Sequence, residues 1–314
     1  MAGKRVFVAG HRGMAGSAIV RRLAREDCEI LTAPRSALDL IDQAATRAWF
    51  AAHKPDVVVV AAAKVGGIFA NDTQPADFLY DNLMIEANVI EAAHRHDAEK
   101  LLFLGSSCIY PKFAPQPMAE DALLTGALEP TNEWYAIAKI AGIKLAQAYR
   151  KQHGRDFISA MPTSLYGPGD NFSLTSSHVL PALIRKAHEA KLRGDAAMTM
   201  WGTGTPRREF LHVDDLADAC IHLLQHYSGQ DHVNVGCGED IAILELNRLV
   251  NDIVGFEGEI VHDLTKPDGT PRKLLDTSRL TALGWRPSIA LRDGIAQTYA
   301  WFLEALAAEG IREV

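Results

Sequence analysis

The stretch "RVFVAGHRGMAGSAIVRRLA", residues 5–24, decides the fold. Its first six residues are apolar apart from Arg5 and end in glycine, as a parallel strand covered on both faces does. Gly10, Gly13 and Gly16 follow at once, and an amphipathic helical pattern begins inside the same loop. Glycines at that junction allow a tight turn, close approach of a pyrophosphate and close packing of helix on strand. Alone the loop is a weak signal, shared with ordinary strand–helix turns. Its place after the first strand of an alternating chain makes it a dinucleotide-binding loop.

That alternation continues outward. "DVVVVAAA" (Asp56–Ala63) is a second continuous apolar run, and "EILTA", "KLLFLGS" and "FISAMP" are further strands. Helical patterns cover about Gly16–Ala24, Gln43–His53, Ala76–His96 and Trp134–His153. The order predicts an α/β fold, a doubly wound parallel sheet of Rossmann type. After "LYGPGDN" (Leu165–Asn171) the regularity weakens: "HVLPALIRKAHEAK" is helical, "WGTGTPRREFLHVDD" has the glycines and proline of a shaped loop, and "HVNVG" is one short strand. "ILELNRLVNDIVG" and "DGIAQTYAWFLEAL" are amphipathic helices. The expected division is a dinucleotide-binding domain over residues 1–170, with 214–235 returning to it. A smaller mixed α/β substrate domain is expected over 171–213 and 236–314.

With 314 residues, 23% of them charged and 48% hydrophobic, the chain has the composition of an ordinary soluble enzyme. A net charge of -7 argues against a general nucleic-acid or anionic-membrane binder, while leaving room for a local basic pocket. No apolar run reaches the roughly 20 residues of a membrane span, and a strand begins directly after "MAGK" without a secretory leader. Cys28, Cys108, Cys220 and Cys237 lack the paired spacing of a zinc site, so no metal is expected. A reduced, cytoplasmic chain with free thiols fits best.

Two features concern chemistry. The second strand ends at "PRS" with Arg35 where NAD-binding folds carry an acidic residue for the ribose 2′-hydroxyl, and Arg12 lies in the glycine loop. Two guanidiniums suit a 2′-phosphate, so NADP(H) is the expected cofactor. "NEWYAIAK" sets Tyr135 and Lys139 four residues apart on one helix face. A tyrosine titrates at about 10, and a cation one turn away favours its phenolate. Tyr-x-x-x-Lys alone is a common amphipathic pair.

A glycine loop, then a serine after a middle strand (Ser106 in "LGSSCIYPK"), then Tyr-x-x-x-Lys on the next long helix resembles the extended short-chain dehydrogenase/reductases that act on nucleotide sugars. That resemblance implies Ser106, Tyr135 and Lys139 as catalytic trio. Ser106 and Tyr135 bond the substrate carbonyl oxygen, with Tyr135 as acid, and Lys139 holds the nicotinamide ribose. The family's dehydratases commonly carry a glutamate two residues after the catalytic Ser/Thr; here Cys108 stands there, which argues against dehydration.

The blocks "GHRGMAGSAI", "AAAKVGGI", "LGSSCIYPK", "EPTNEWYAIAKIAG", "WGTGTPRREFLHVDD" and "KPDGTPRKLLD" together resemble the family's GDP-4-keto-sugar epimerase-reductases over nearly the whole chain. The likeness implies NADPH-dependent 3,5-epimerisation and 4-reduction of GDP-4-keto-6-deoxy-D-mannose to GDP-L-fucose, with Cys108 as base and His178 as acid of the epimerisation. It implies cofactor contacts from Gly10, His11, Arg12, Gly13, Met14, Gly16, Arg35, Lys139, Pro162, Ser164, Leu165 and His178. Lys186, Trp201, Arg208 and Asp268 would hold the GDP-sugar, and relatives are dimers through helices flanking the site. Ser164 stands where the family commonly has asparagine, Lys186 where arginine is frequent, and Trp134 where proline is frequent.

Two rival functions compete. A plain 4-ketoreductase needs the trio but neither Cys108 nor His178. A non-catalytic NADP-sensing protein is expected to carry a degraded trio, and this one is intact.

Overall fold

The computed structural model describes residues 1–308 apart from Thr175 and Pro267. These two and residues 309–314 fall inside the expected substrate domain and lie outside the described residues.

The first half alternates as the apolar runs require: β1 (Lys4–Ala9), α1 (Met14–Leu23), β2 (Cys28–Leu31), α2 (Gln43–His53), β3 (Val57–Val60), α3 (Ile68–Thr73), α4 (Pro75–Arg95), β4 (Lys100–Leu104), α5 (Glu133–His153) and β5 (Asp156–Pro162). The rest comprises β6 (Ser164–Tyr166), α6 (Val179–Arg193), β7 (Ala197–Trp201), β8 (Arg207–His212), α7 (Val213–His226) and β9 (Val233–Val235). It ends with β10 (Asp240–Ala242), α8 (Ile243–Val254), β11 (Glu259–Asp263), β12 (Arg272–Lys273), α9 (Ser278–Ala282) and α10 (Leu291–Ala307).

Six strands form one parallel sheet in the order β2-β1-β3-β4-β5-β9. Alternate residues feed two cores. Val6, Val8, Val57 and Val59 pack with α1 and α7, while Phe7, Ala9, Val58 and Val60 pack with α2, α4 and α5. Each fully buried valine stabilises by about 1.5–3 kcal/mol, so burial rather than strand propensity holds β3 in the sheet's middle. A third core gathers Tyr166, Phe172, Leu180, Ile184, Val250 and Phe302 from β6, the following loop, α6, α8 and α10.

The segment expected as a shaped loop is more regular than its glycines suggest. Its Arg207–His212 part is β8, which pairs with β10, β12 and β6, and its Trp201 ends β7, paired with β11. Only Gly202–Pro206 between them remains a turn. Among the described residues no helix is long and apolar enough to cross a membrane.

Candidate active site

Strands β1 and β3 lie side by side, and the chain leaves them for opposite faces of the sheet: α1 on one side, α4 on the other. The crevice at their carboxyl ends is where open α/β sheets bind ligands. Gly10 takes φ +86, and a Cβ there would lie 2.7 Å from the Ala62 amide nitrogen at the end of β3. A Cβ on Gly16 would lie 2.1 Å from the Gly10 carbonyl oxygen. Both glycines are therefore compelled by the close approach of loop, strand and helix. The first α1 amides have no intrahelical acceptor and face the crevice end with the positive helix dipole, a ready anion site. His11 is half-buried, and burial with the neighbouring Arg12 guanidinium holds it below the ordinary imidazole range.

Arg12 is exposed, and the Arg35 side chain is 77% exposed and lies 3.6 Å from Asp39. Two accessible guanidiniums with the glycine cradle fit a dinucleotide carrying a 2′-phosphate. Further round the crevice, Pro162 is buried at the end of β5, and Ser164 and Leu165 are half-buried in β6.

The strand β4 ends at Leu104, and a single 3₁₀ turn, Ser107–Ile109, follows. Ser106 caps it, its Oγ accepting from the Cys108 amide at 3.5 Å, and Cys108 and Ile109 point inward and are buried. The turn packs on α5, where Tyr135 and Lys139 share a face. The Lys139 ammonium lies 5.8 Å from the Tyr135 ring centroid and 4.6 Å from that of Phe103. Its carboxylate neighbour is Glu86 of α4 at 3.8 Å, both side chains 3% exposed. Burial pushes the Tyr135 phenol well up, with Cys108 and Glu86 adding to it. The Cys108 thiol is raised by burial, opposed by the Ser106 hydroxyl and the Lys273 and Lys139 cations. Four of the sequence-predicted residues, Ser106, Cys108, Tyr135 and Lys139, thus form one electrostatically linked group.

His178 is the N-cap residue of α6, its side chain making no capping bond. It sits on a loop tied down by the Gly67 amide donating to the Ser176 carbonyl at 3.1 Å. The ring stays open to water within a crowded cleft; the surrounding protein and Lys273 lower its affinity for a proton. Lys273 is thus a shared neighbour of Cys108 and His178, and sequence reading missed it. Its motif "KPDGTPRKLLD" was a signal, but nothing in the motif says which cation faces inward.

At the outer end Trp201 is 57% exposed, with the Lys186 and Lys266 ammoniums 4.9 and 5.3 Å from its ring centroid. Asp268 accepts from the Thr203 amide at 2.9 Å and from the Thr203 hydroxyl at 2.7 Å, closing this loop onto the turn after β7. Arg208 lies against Gly269, whose added Cβ would meet its Nη2 at 2.9 Å. Burial lowers Lys186, Arg208 and Lys273 alike. Desolvated cations in an otherwise acidic protein are candidates to hold an anion.

The sequence matches the model of the NAD dependent epimerase/dehydratase family over residues 6–236. A GDP-L-fucose synthase of Sinorhizobium fredii is 61% identical over 305 residues, covering 97% of each chain. Among solved structures, a GDP-6-OMe-4-keto-L-xylo-heptose reductase from C. jejuni superposes with a TM-score of 0.91 at 37% identity, over 97% of this chain and 99% of that one. A GDP-L-fucose synthetase of Naegleria fowleri bound to NADP superposes with a TM-score of 0.90 at 27% identity, over 98% and 95%. With a cradle that fits their cofactor and a likeness running end to end, this chain belongs to the NAD dependent epimerase/dehydratase family and, within it, to the GDP-L-fucose synthases.

Proposed function

We propose that the protein is an NADPH-dependent epimerase and reductase that converts GDP-4-keto-6-deoxy-D-mannose to GDP-L-fucose. The observation that carries this reading is a buried thiol, Cys108, among Tyr135, Lys139 and Lys273, in a chain 61% identical to a GDP-L-fucose synthase.

The C4 ketone acidifies the protons on C3 and C5, since either carbanion delocalises as an enolate. Ser106 and Tyr135 donate hydrogen bonds to that oxygen as charge builds on it. Cys108 removes the carbon-bound proton as thiolate, and His178 returns one from the opposite face, inverting each centre. NADPH, when bound, supplies the hydride to C4. Tyr135 gives the alkoxide its proton, and Lys139 orients the nicotinamide ribose and favours the phenolate left behind. Reduction destroys the carbonyl that makes C3 and C5 acidic, so both inversions precede it.

For the nucleotide end, the guanine stacks on Trp201, Lys186 and Arg208 neutralise the diphosphate, and Asp268 accepts from a hydroxyl or base edge. The Gly10–Gly16 cradle would hold the cofactor's pyrophosphate, and Arg12 and Arg35 would bind its 2′-phosphate. Residues 1–170 with 214–235 bind the cofactor, and the remainder binds the sugar nucleotide.

The active form is a homodimer through α4 and α5, whose outer faces carry exposed Tyr80, Trp134 and Ile137. A cytoplasmic location agrees with four free thiols. The test of the mechanism is Cys108→Ser: it retains NADPH binding and loses solvent exchange at C3 and C5. Exchange at the parent rate in that variant removes Cys108 from the reaction.

A further inference from the structure

Glu86 is a buried carboxylate that the mechanism above does not use. It is 2% exposed, in the middle of α4 on the side facing α5; neither of its oxygens makes a well-formed hydrogen bond, and the Gly142 amide of α5 is the backbone group that bears on it. The other buried polar groups of that helix are bonded. Asn82 accepts from the Lys64 amide at 2.9 Å and donates to the Phe78 carbonyl at 2.7 Å, and Asn88 donates to the Leu40 and Ile41 carbonyls at 2.9 Å. Buried carboxylates without partners are expensive, and a native fold retains them where another charge compensates or a function requires them.

The compensating charge is Lys139. At 3.8 Å the two groups are too far apart for a hydrogen bond and close enough for strong attraction in a dry site. The ammonium also lies 4.6 Å from the Phe103 ring centroid and 5.8 Å from that of Tyr135. From α5 Lys139 and Tyr135 face the carboxylate, and Cys108, after β4, acts on each of those two. On the opposite flank α2 offers Arg47, which is engaged with Glu91 at 3.1 Å. Burial pushes Glu86 up to about 7 against the pull of Lys139, and burial pulls Lys139 down against the pull of Glu86. The two titrate as a pair.

We propose that Glu86 is a positioning residue for the reaction: its carboxylate keeps Lys139 protonated and aimed between Tyr135 and the cofactor ribose. This rests on the assignment of Lys139 as the ribose-holding cation. The direction of the effect follows from charge. The carboxylate favours the ammonium, so removing it lets Lys139 lose its proton at lower pH. Protonated lysine then disappears within the working range.

The test compares Glu86→Gln and Glu86→Asp with the parent from about pH 6 to about pH 9.5, a range chosen to span the ordinary imidazole and thiol values. Two readouts are taken: NADPH binding by energy transfer from tryptophan to the nicotinamide, and steady-state NADPH oxidation. Glu86→Gln is expected to move the high-pH limb of both down by about one unit or more. Glu86→Asp, which keeps the charge, is expected to lie nearer the parent. Because binding needs no sugar substrate, a wrong substrate leaves that half of the test intact. Limbs that coincide in parent and Gln variant, whatever their melting temperatures, overturn the proposal. Should Glu86→Gln not fold, carbon-13 carboxyl titration of Glu86 in the parent and in Lys139→Met decides. The expected result is a higher titration point in Lys139→Met; an unchanged one contradicts the pairing.

Discussion

Lys273 of β12 is the strand partner of Arg208 of β8, and its ammonium acts on Cys108 and His178 together. A cation favours a thiolate and disfavours an imidazolium, so it lowers both proton affinities. Burial meanwhile raises Cys108, and the protein crowded around His178 lowers it. The active pair, thiolate with imidazolium, has the same net charge as thiol with neutral imidazole, so its population does not change with pH between the two titrations.

Solvent exchange at C3 and C5 is therefore expected to be flat over a range wider than the ordinary interval from about 6.5 to about 8.5. It falls below the His178 titration and above that of Cys108. Lys273→Met moves both limbs to higher pH. Exchange measured by proton NMR across the pH range checks this; limbs that move apart or stay fixed contradict the shared-cation account.

Gly16→Ala places a methyl group where 2.1 Å separates it from the Gly10 carbonyl oxygen. The loop has to shift, at about 1–3 kcal/mol for overpacking. NADPH affinity is expected to fall about tenfold or more, read by fluorescence titration, with a lowered melting temperature.

Arg35→Asp leaves the fold alone, since the side chain is 77% exposed and its ion pair, with Asp39, is long at 3.6 Å. Stability is expected to change by less than about 0.5 kcal/mol. A hydrogen bond to a charged group contributes about 1.5–3 kcal/mol. The preference for NADPH over NADH in kcat/KM should thus fall by roughly 10- to 150-fold. An unchanged ratio places the 2′-phosphate elsewhere.

Trp201→Ala removes an exposed ring flanked by two ammoniums. Stacking of a base on an aromatic contributes about 1–3 kcal/mol. KM for the sugar nucleotide is expected to rise by roughly 5- to 150-fold, with NADPH affinity unchanged. Equal loss of NADPH binding assigns the ring to the wrong ligand.

Local signals were legible where the chain's neighbours in space are also neighbours in sequence. Helix α2 runs over the predicted Gln43–His53, and each apolar run of the first half is a strand of the large sheet. Tyr135 and Lys139 were readable as a pair on one helix face, while Ser106 and Cys108, at a strand end, drew their expected roles from the family resemblance. Strand β8 was hidden: it opens with Arg207 and Arg208, follows a Gly-Pro turn, and finds β10, β12 and β6 only through tertiary pairing. Glu86 and Lys273 escaped for the same reason. In sequence each is one more charge on a helix or loop. Only the packing of α4 on α5 sets Glu86 beside Lys139, and only the pairing of β12 with β8 brings Lys273 toward Cys108.

The central claim is that one site both epimerises and reduces. The most direct measurement is an incubation with GDP-4-keto-6-deoxy-D-mannose and NADPH in heavy water, counting carbon-bound deuterium in the product by NMR and mass spectrometry. The account predicts NADPH oxidation with solvent deuterium at both C3 and C5. Oxidation with no carbon-bound deuterium contradicts it, leaving a 4-ketoreductase in which Cys108 and His178 have no part.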